Sequence, residues 1–121
     1  SPPPHVVCDP DDRVADVIKQ MKSRGIGCVV VEKNQLPVGM FTERDIVMKI
    51  IGKPVDPIQT PIRGVMTSPV ESVKAGDTIA YVLNKMSIGG YRHVPIADAN
   101  GHVSGVISVR NILQYLAKQL A

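Results

Sequence analysis

The feature that most constrains this chain is that it says one thing twice. Ile79, Val82, Leu83 and Met86 stand 65 positions after Val14, Val17, Ile18 and Met21, and Gly90 stands 65 after Gly25. From Gly105 the offset becomes 66, and Gly105, Ser108, Arg110, Asn111, Ile112, Leu113 and Leu116 answer Gly39, Thr42, Arg44, Asp45, Ile46, Val47 and Ile50. Matches this numerous at a near-constant period are improbable by chance and call for the same supersecondary unit in both halves.

Each copy has a readable order of elements. Val6-Val7-Cys8 reads as a short strand, followed by turn and cap residues in Asp9-Pro10-Asp11-Asp12. Val14, Val17, Ile18 and Met21 then form one stripe of an amphipathic helix ending near Arg24-Gly25. The β-branched run Gly27-Cys28-Val29-Val30-Val31 predicts a strand, Lys33 to Pro37 a turn, and Val38 to Phe41 the returning strand. A second helix is expected to begin at Thr42, to present Ile46, Val47, Ile50 and Ile51 on one side, and to stop at Gly52. In the second copy His93-Val94-Pro95-Ile96 is the strand, Asp98-Ala99-Asn100-Gly101 the hairpin turn holding the extra residue, and Val103 to Ile107 the return.

The fold class is therefore α/β (α+β), a tandem of β-α-β-β-α repeats: 1–52, a proline-rich linker 53–69, and 70–121. Pro54, Pro57, Pro61 and Pro69 exclude a long helix and predict an extended connection, with a brief turn at Gly64-Val65-Met66-Thr67. A unit of about 60 residues can rarely bury its own sheet face. The two are therefore expected to pack about a pseudo-twofold with their equivalent motifs bordering a shared cleft. Helix faces such as Ile46/Ile50 and Leu113/Leu120 remain for homodimerisation.

Composition removes several function classes. With 44% hydrophobic residues but only Phe41, Tyr81, Tyr91 and Tyr115 as aromatics, the core is aliphatic and there is no stacking platform for single-stranded nucleic acid. The net charge of +3 comes from 14 Lys and Arg spread between Arg13 and Lys118 without a run, a solvated surface rather than a polyanion site. Cys8, Cys28, His5, His93 and His102 lack metal-ligand spacing. Two unpaired, buried thiols suit a reducing cytosol, although one disulfide is also compatible with the sequence. No segment is apolar for long enough to span a membrane, and Ser1-Pro2-Pro3-Pro4 is not a signal peptide. The expectation is a cytoplasmic chain with no membrane or nucleic-acid partner; Ser1 in place of methionine reads as a processing scar.

The duplicated chemistry lies in Gly39-Met40-Phe41-Thr42-Glu43-Arg44-Asp45-Ile46 and Gly105-Val106-Ile107-Ser108-Val109-Arg110-Asn111-Ile112. Each runs from a strand through Ser/Thr into a helix, and two readings stand side by side. Thr42 with Asp45, and Ser108 with Asn111, have the spacing of a capping box. The same hydroxyl and carboxylate at a positive helix end can instead hold a ribose and phosphate.

These motifs, with Val65-Met66-Thr67-Ser68-Pro69-Val70 and Gly90-Tyr91-Arg92-His93-Val94-Pro95-Ile96, resemble a pair of cystathionine-β-synthase (CBS) domains, a Bateman module, over nearly the whole chain. The resemblance implies an adenine nucleotide (AMP, ADP or ATP), or S-adenosylmethionine or a guanine nucleotide, in the cleft between repeats, sensed on behalf of an effector protein or domain. Carried over, it makes Asp45 the ribose binder with Thr42 near the phosphate, and Asn111 and Ser108 their counterparts in a second site. Asn111 offers one acceptor oxygen and no charge, so Asp45 marks the better site. Arg44 and Arg110 are phosphate contacts or ordinary exposed residues; His93, with Arg92, reaches phosphates of the opposite motif or is a satisfied structural histidine; Tyr91 packs in the core or lines the cleft. Gly39 and Gly105 admit a base or a neighbouring backbone, or ease the strand's bend. The first copy has Pro2-Pro3-Pro4-His5-Val6 where the second has Met66-Thr67-Ser68-Pro69-Val70, so the chain is expected to begin inside a longer protein.

The leading functional expectation is a regulatory, nucleotide-sensing module without a catalytic cofactor. The alternative is a structural homodimerisation or interaction module whose caps meet no ligand. No nucleophile beside a base, metal spacing or paired carboxylates support an enzyme.

Overall fold

A computed structural model of the protein describes residues 5–120, so the proline run at 2–4 lies outside the described residues. The chain divides into two units, His5–Val70 and the part beginning at Glu71. In the first, β1 (Val7–Cys8), α1 (Val14–Arg24), β2 (Cys28–Lys33) and β3 (Leu36–Thr42) lead to a short α2 (Glu43–Asp45) that continues as a π turn over Ile46–Ile50. In the second, β4 (Val73–Lys74), α3 (Ile79–Gly89), β5 (His93–Ala97), β6 (Val103–Ser108) and α4 (Val109–Leu120) repeat that order.

Each unit holds a three-stranded sheet in sequential order. β1 runs parallel to β2 and β4 parallel to β5, each pair joined through a helix, while β2–β3 and β5–β6 are antiparallel hairpins. The duplication extends to irregularities: register shifts at Val31/Glu32 in one hairpin and at Ile96/Ala97 in the other, with Val31 opposite Gly39 and Ile96 opposite Gly105. The first hairpin closes on Asn34-Gln35, both at positive φ, as a two-residue loop matched to strand twist requires. The second closes on a longer loop in which the Asp98 carboxylate accepts from the N–H groups of Asn100 and His102. That loop holds the residue that changes the offset from 65 to 66.

Glycines in the left-handed conformation end the crossover helices α1 and α3, Gly25 after the first and Gly90 after the second. Their starts differ. Thr78 caps α3 by accepting from the Tyr81 N–H. α1 begins after Arg13, which makes no side-chain cap, and Asp9 and Asp12 are instead spent on the turn itself. The first N–H groups of α1 donate to the proline-rich segment: Val14 to the Thr60 carbonyl at 3.0 Å and Ala15 to that of Pro57 at 2.8 Å. The Ile62 and Arg63 N–H groups return bonds to the carbonyls of Asp12 and Pro10, and the Arg63 guanidinium meets the Asp11 carboxylate.

The segment after Gly52 is thus not the extended connection its prolines suggest but part of the first unit. A 3₁₀ turn at Ile62–Gly64, close to the brief turn expected there, sets Ile62 and Val65 into the core beside Val14, Val17, Met21, Val29, Val31 and Phe41. Proline excludes a helix here without preventing packing, because its neighbours' carbonyls remain strong acceptors. The second unit has a smaller core of Val73, Val82, Met86, Val94 and Ile112.

The helix expected to run from Thr42 to Gly52 is also corrected. After Asp45 it widens, the Ile51 N–H bonding the Ile46 carbonyl five residues back at 3.0 Å. Ile46 and Ile50 pack on the core and are not a free face, whereas Val47 and Ile51 are exposed. Leu83, placed in the α3 stripe by its spacing, is exposed as well. On α4 the stripe Val109, Leu113, Leu116 and Leu120 does stand exposed. Among the described residues no helix is long and apolar enough to cross a membrane.

Because Ile62 is wholly buried, Ile62→Ala should cost about 2–5 kcal/mol of unfolding free energy, the range for truncating a core Ile. Urea denaturation reads this directly, and a free linker would show no loss.

Candidate functional site

Both duplicated motifs form the same strand-to-helix junction. The last residue of β3, Thr42, is in extended conformation and caps α2. Its hydroxyl accepts from the Asp45 N–H at 3.4 Å, and the Asp45 Oδ2 accepts the Thr42 N–H at 3.0 Å, completing the capping box. In the second unit the Asn111 Oδ1 accepts the Ser108 N–H and hydroxyl, both at 2.9 Å, and the Ser108 Oγ accepts the Asn111 N–H at 3.1 Å. The next N–H in each helix is met by a carbonyl from before the neighbouring strand, Glu43 by Gly27 and Val109 by Arg92. One frame carries two chemistries.

The first junction is the more elaborate. Asp45 is 4% exposed, the one buried charged residue among the described residues. Besides the Thr42 N–H, its Oδ2 accepts the Thr42 hydroxyl at 3.3 Å. Its Oδ1 accepts the Thr67 hydroxyl at 2.7 Å and pairs with the Lys49 ammonium at 2.9 Å. Lys49 also donates to the carbonyls of Val65 and Met66 and lies 3.4 Å from the Thr67 hydroxyl. Thr67 is held alongside by a two-way backbone bridge with Met40. A Cβ on Gly39 would meet the Met66 sulfur at 2.5 Å and the Thr67 carbonyl at 3.1 Å, so in this structure the neighbouring chain occupies the space that Gly39 leaves.

The residues singled out from sequence fall into two groups. Gly39, Thr42, Arg44 and Asp45 gather at the first junction; Gly105, Ser108, Arg110 and Asn111 gather at the second, where His93 stands opposite Ser108 in register. Arg44 and Arg110 are exposed. Tyr91 packs against the second core and its ring lies over Gly89. Sequence reasoning missed Lys49 and Thr67 as partners of Asp45. An Asp and a Lys four apart on a helix were a readable signal for the first; nothing local to Thr67 announces the second. The position matching Lys49 in the second copy is Tyr115, which is exposed.

The free thiols Cys8 and Cys28 are both pushed up to about 12, Cys28 by burial and then by the Asp45 carboxylate, and Cys8 by burial and then by Asp12 and Asp9. Among the described residues no group of three or more His, Cys, Asp or Glu could hold a metal ion.

A family model described as CBS domain matches residues 2–52 and 62–118. The chain belongs to the CBS-domain family, as a pair of such repeats. A protein of Methanopyrus kandleri is 33% identical over 107 residues, covering 87% of this chain, which spans about half, 54%, of that relative's length. Among solved structures, a CBS-domain-containing protein from Agrobacterium tumefaciens is 28% identical with a TM-score of 0.85, covering 94% of this chain and 90% of that one. A CBS domain protein from Pyrobaculum aerophilum complexed with AMP is 26% identical with a TM-score of 0.81, covering 98% and 93%.

The thiol environments predict a pH response. An unfolded thiol ionises near 9.0 and the native ones near 12, so above about pH 9 the unfolded chain binds fewer protons and stability falls as pH rises. The denaturation midpoint should drop over that window, and less so in a Cys8→Ala/Cys28→Ala double variant. At about pH 8 the native chain should resist iodoacetamide that labels the unfolded chain, since the thiolate is the nucleophile.

Proposed function

We propose that this chain is a regulatory module that binds an adenine nucleotide, AMP, ADP or ATP, with the ribose hydroxyls on Asp45 and the phosphates near Thr42 and Arg44. The observation that carries the reading is a buried carboxylate fixed at a helix start, where its oxygen acceptors lie beside a hydroxyl and the positive end of the helix dipole. The AMP complex of the Pyrobaculum relative supports the ligand class. Asn111, with Ser108, Arg110, His93 and Gly105, forms the weaker counterpart, because an amide offers a ribose one neutral acceptor where a carboxylate offers two charged ones. S-adenosylmethionine shares the adenosine part and is the next ligand to try. The module serves an effector domain or protein in the cytoplasm, and the exposed α4 stripe of Val109, Leu113, Leu116 and Leu120 suits a second copy of the chain.

One observation favours a second reading, a structural interaction module. The donors on Asp45, Thr42, Thr67 and Lys49, already satisfy its carboxylate. A cap of this kind stabilises a helix with no ligand at all.

Thermal denaturation with AMP, ADP, ATP and S-adenosylmethionine separates the two. A ligand at about 100 times its Kd adds roughly 2.7 kcal/mol, a shift of several degrees for a domain of this size. Calorimetry should show Asp45→Ala losing more affinity than Asn111→Ala. Equal losses would remove the ranking of the two junctions, and no shift with any nucleotide would leave the structural reading.

A further inference from the structure

The first junction contains more than a cap requires. A carboxylate has about four lone-pair sites, and Asp45 fills them with the Thr42 N–H and hydroxyl on Oδ2 and the Thr67 hydroxyl and Lys49 ammonium on Oδ1. The Oδ2 pair belongs to the capping box and recurs at Asn111. Among the described residues the Oδ1 pair has no counterpart at Asn111. Where the second repeat has a neutral amide, its residue four positions on is Tyr115 rather than a lysine, so the cation accompanies the charge it neutralises.

We propose that Lys49 and Thr67 form a latch on Asp45: together they hold the Oδ1 position that a ribose hydroxyl would take, and a nucleoside binds when they release it. This rests on the reading of Asp45 as the ribose acceptor and adds to it how that site is regulated. Lys49 is suited to the part because its side chain is 39% exposed while that of Asp45 is 5% exposed, so the ammonium can leave toward water with little rearrangement of the core. The move has a consequence elsewhere in the first unit. The same ammonium holds the Val65 and Met66 carbonyls, so releasing Asp45 loosens the segment that follows the 3₁₀ turn. Occupancy of the carboxylate is thereby transmitted to residues 65–67, a two-state element of the kind that ligand sensing needs.

Closure lowers apparent affinity by the fraction of open molecules, so removing either Oδ1 donor should raise it. Lys49→Met keeps the aliphatic stem and loses the ammonium; Thr67→Val keeps the shape and loses the hydroxyl. Calorimetry with adenosine and with AMP should show both variants binding more tightly than the unaltered chain, by about ten-fold for Lys49→Met if closure holds some nine molecules in ten. Hydrogen exchange should quicken at residues 65–67 in Lys49→Met without ligand, and in the unaltered chain when adenosine binds. Should Lys49→Met leave a buried charge that prevents folding, Thr67→Val decides alone. Unchanged or weaker adenosine binding in the variants overturns the latch. If the unaltered chain binds and Asp45→Ala does not, that result leaves the nucleotide reading standing. Loss of AMP but not adenosine affinity in Lys49→Met also overturns it, making Lys49 a phosphate ligand. Binding by neither the unaltered chain nor the variants removes both the latch and the nucleotide reading, whereas binding by the variants alone establishes the latch.

Discussion

Unpaired backbone donors at the start of α1 decide how the first repeat is built. Arg13 cannot accept a hydrogen bond from its side chain, and the adjacent aspartates are committed to their own turn. The Val14 and Ala15 N–H groups are therefore completed by carbonyls of Thr60 and Pro57. Leaving a buried donor unsatisfied costs on the order of 1–3 kcal/mol, so the proline-rich segment is tied to the helix it caps. Once there, it lowers Ile62 and Val65 into the core and brings Met66 and Thr67 beside Met40. The surroundings of Asp45 follow from that course. Its Oδ1 partners are Thr67 at the end of this segment and Lys49, which holds the segment's carbonyls.

The two repeats separate what a frame must supply from what a site can vary. Both keep the parallel strand pair, the hairpin with its register shift opposite a glycine, and a hydroxyl exchanging bonds with the residue three positions on. These are demands of geometry: a helix start needs its N–H groups met, and a twisted hairpin tolerates an extra residue at a bulge. The charge at the junction is free to differ. Asp45 brings a cation with it, since a buried carboxylate without a partner is costly; Asn111 needs none. The same cap is a charged, four-donor cluster in one copy and a neutral pair in the other.

Much of the architecture could be read because it depends on local patterns. The α1 stripe, the β-branched β2, the Gly25 and Gly90 stops and the Thr42 and Ser108 caps are each written within a few residues, and the duplication makes each copy a check on the other. The readings that failed depended on distant partners. Val47 and Ile51 were placed on the apolar side by the period of an α-helix, and the π turn at Ile46–Ile50 moved them off it. The segment 53–69 looked like a connection because proline signals only what a backbone cannot do. At the site, Thr42 and Asp45 were legible from spacing alone, while Thr67 joins them across 22 positions of chain.

By itself the sequence determined the repeat, the order of strands and helices in each copy, and the hydroxyl-to-carboxylate or hydroxyl-to-amide pair at each junction, because periodicity and capping act between residues close along the chain. Only the tertiary structure decided that prolines 57 and 61 belong to a packed segment and that the Asp45 carboxylate is already fully engaged. Those outcomes follow from satisfying buried polar groups, whose partners can come from any part of the chain that reaches them.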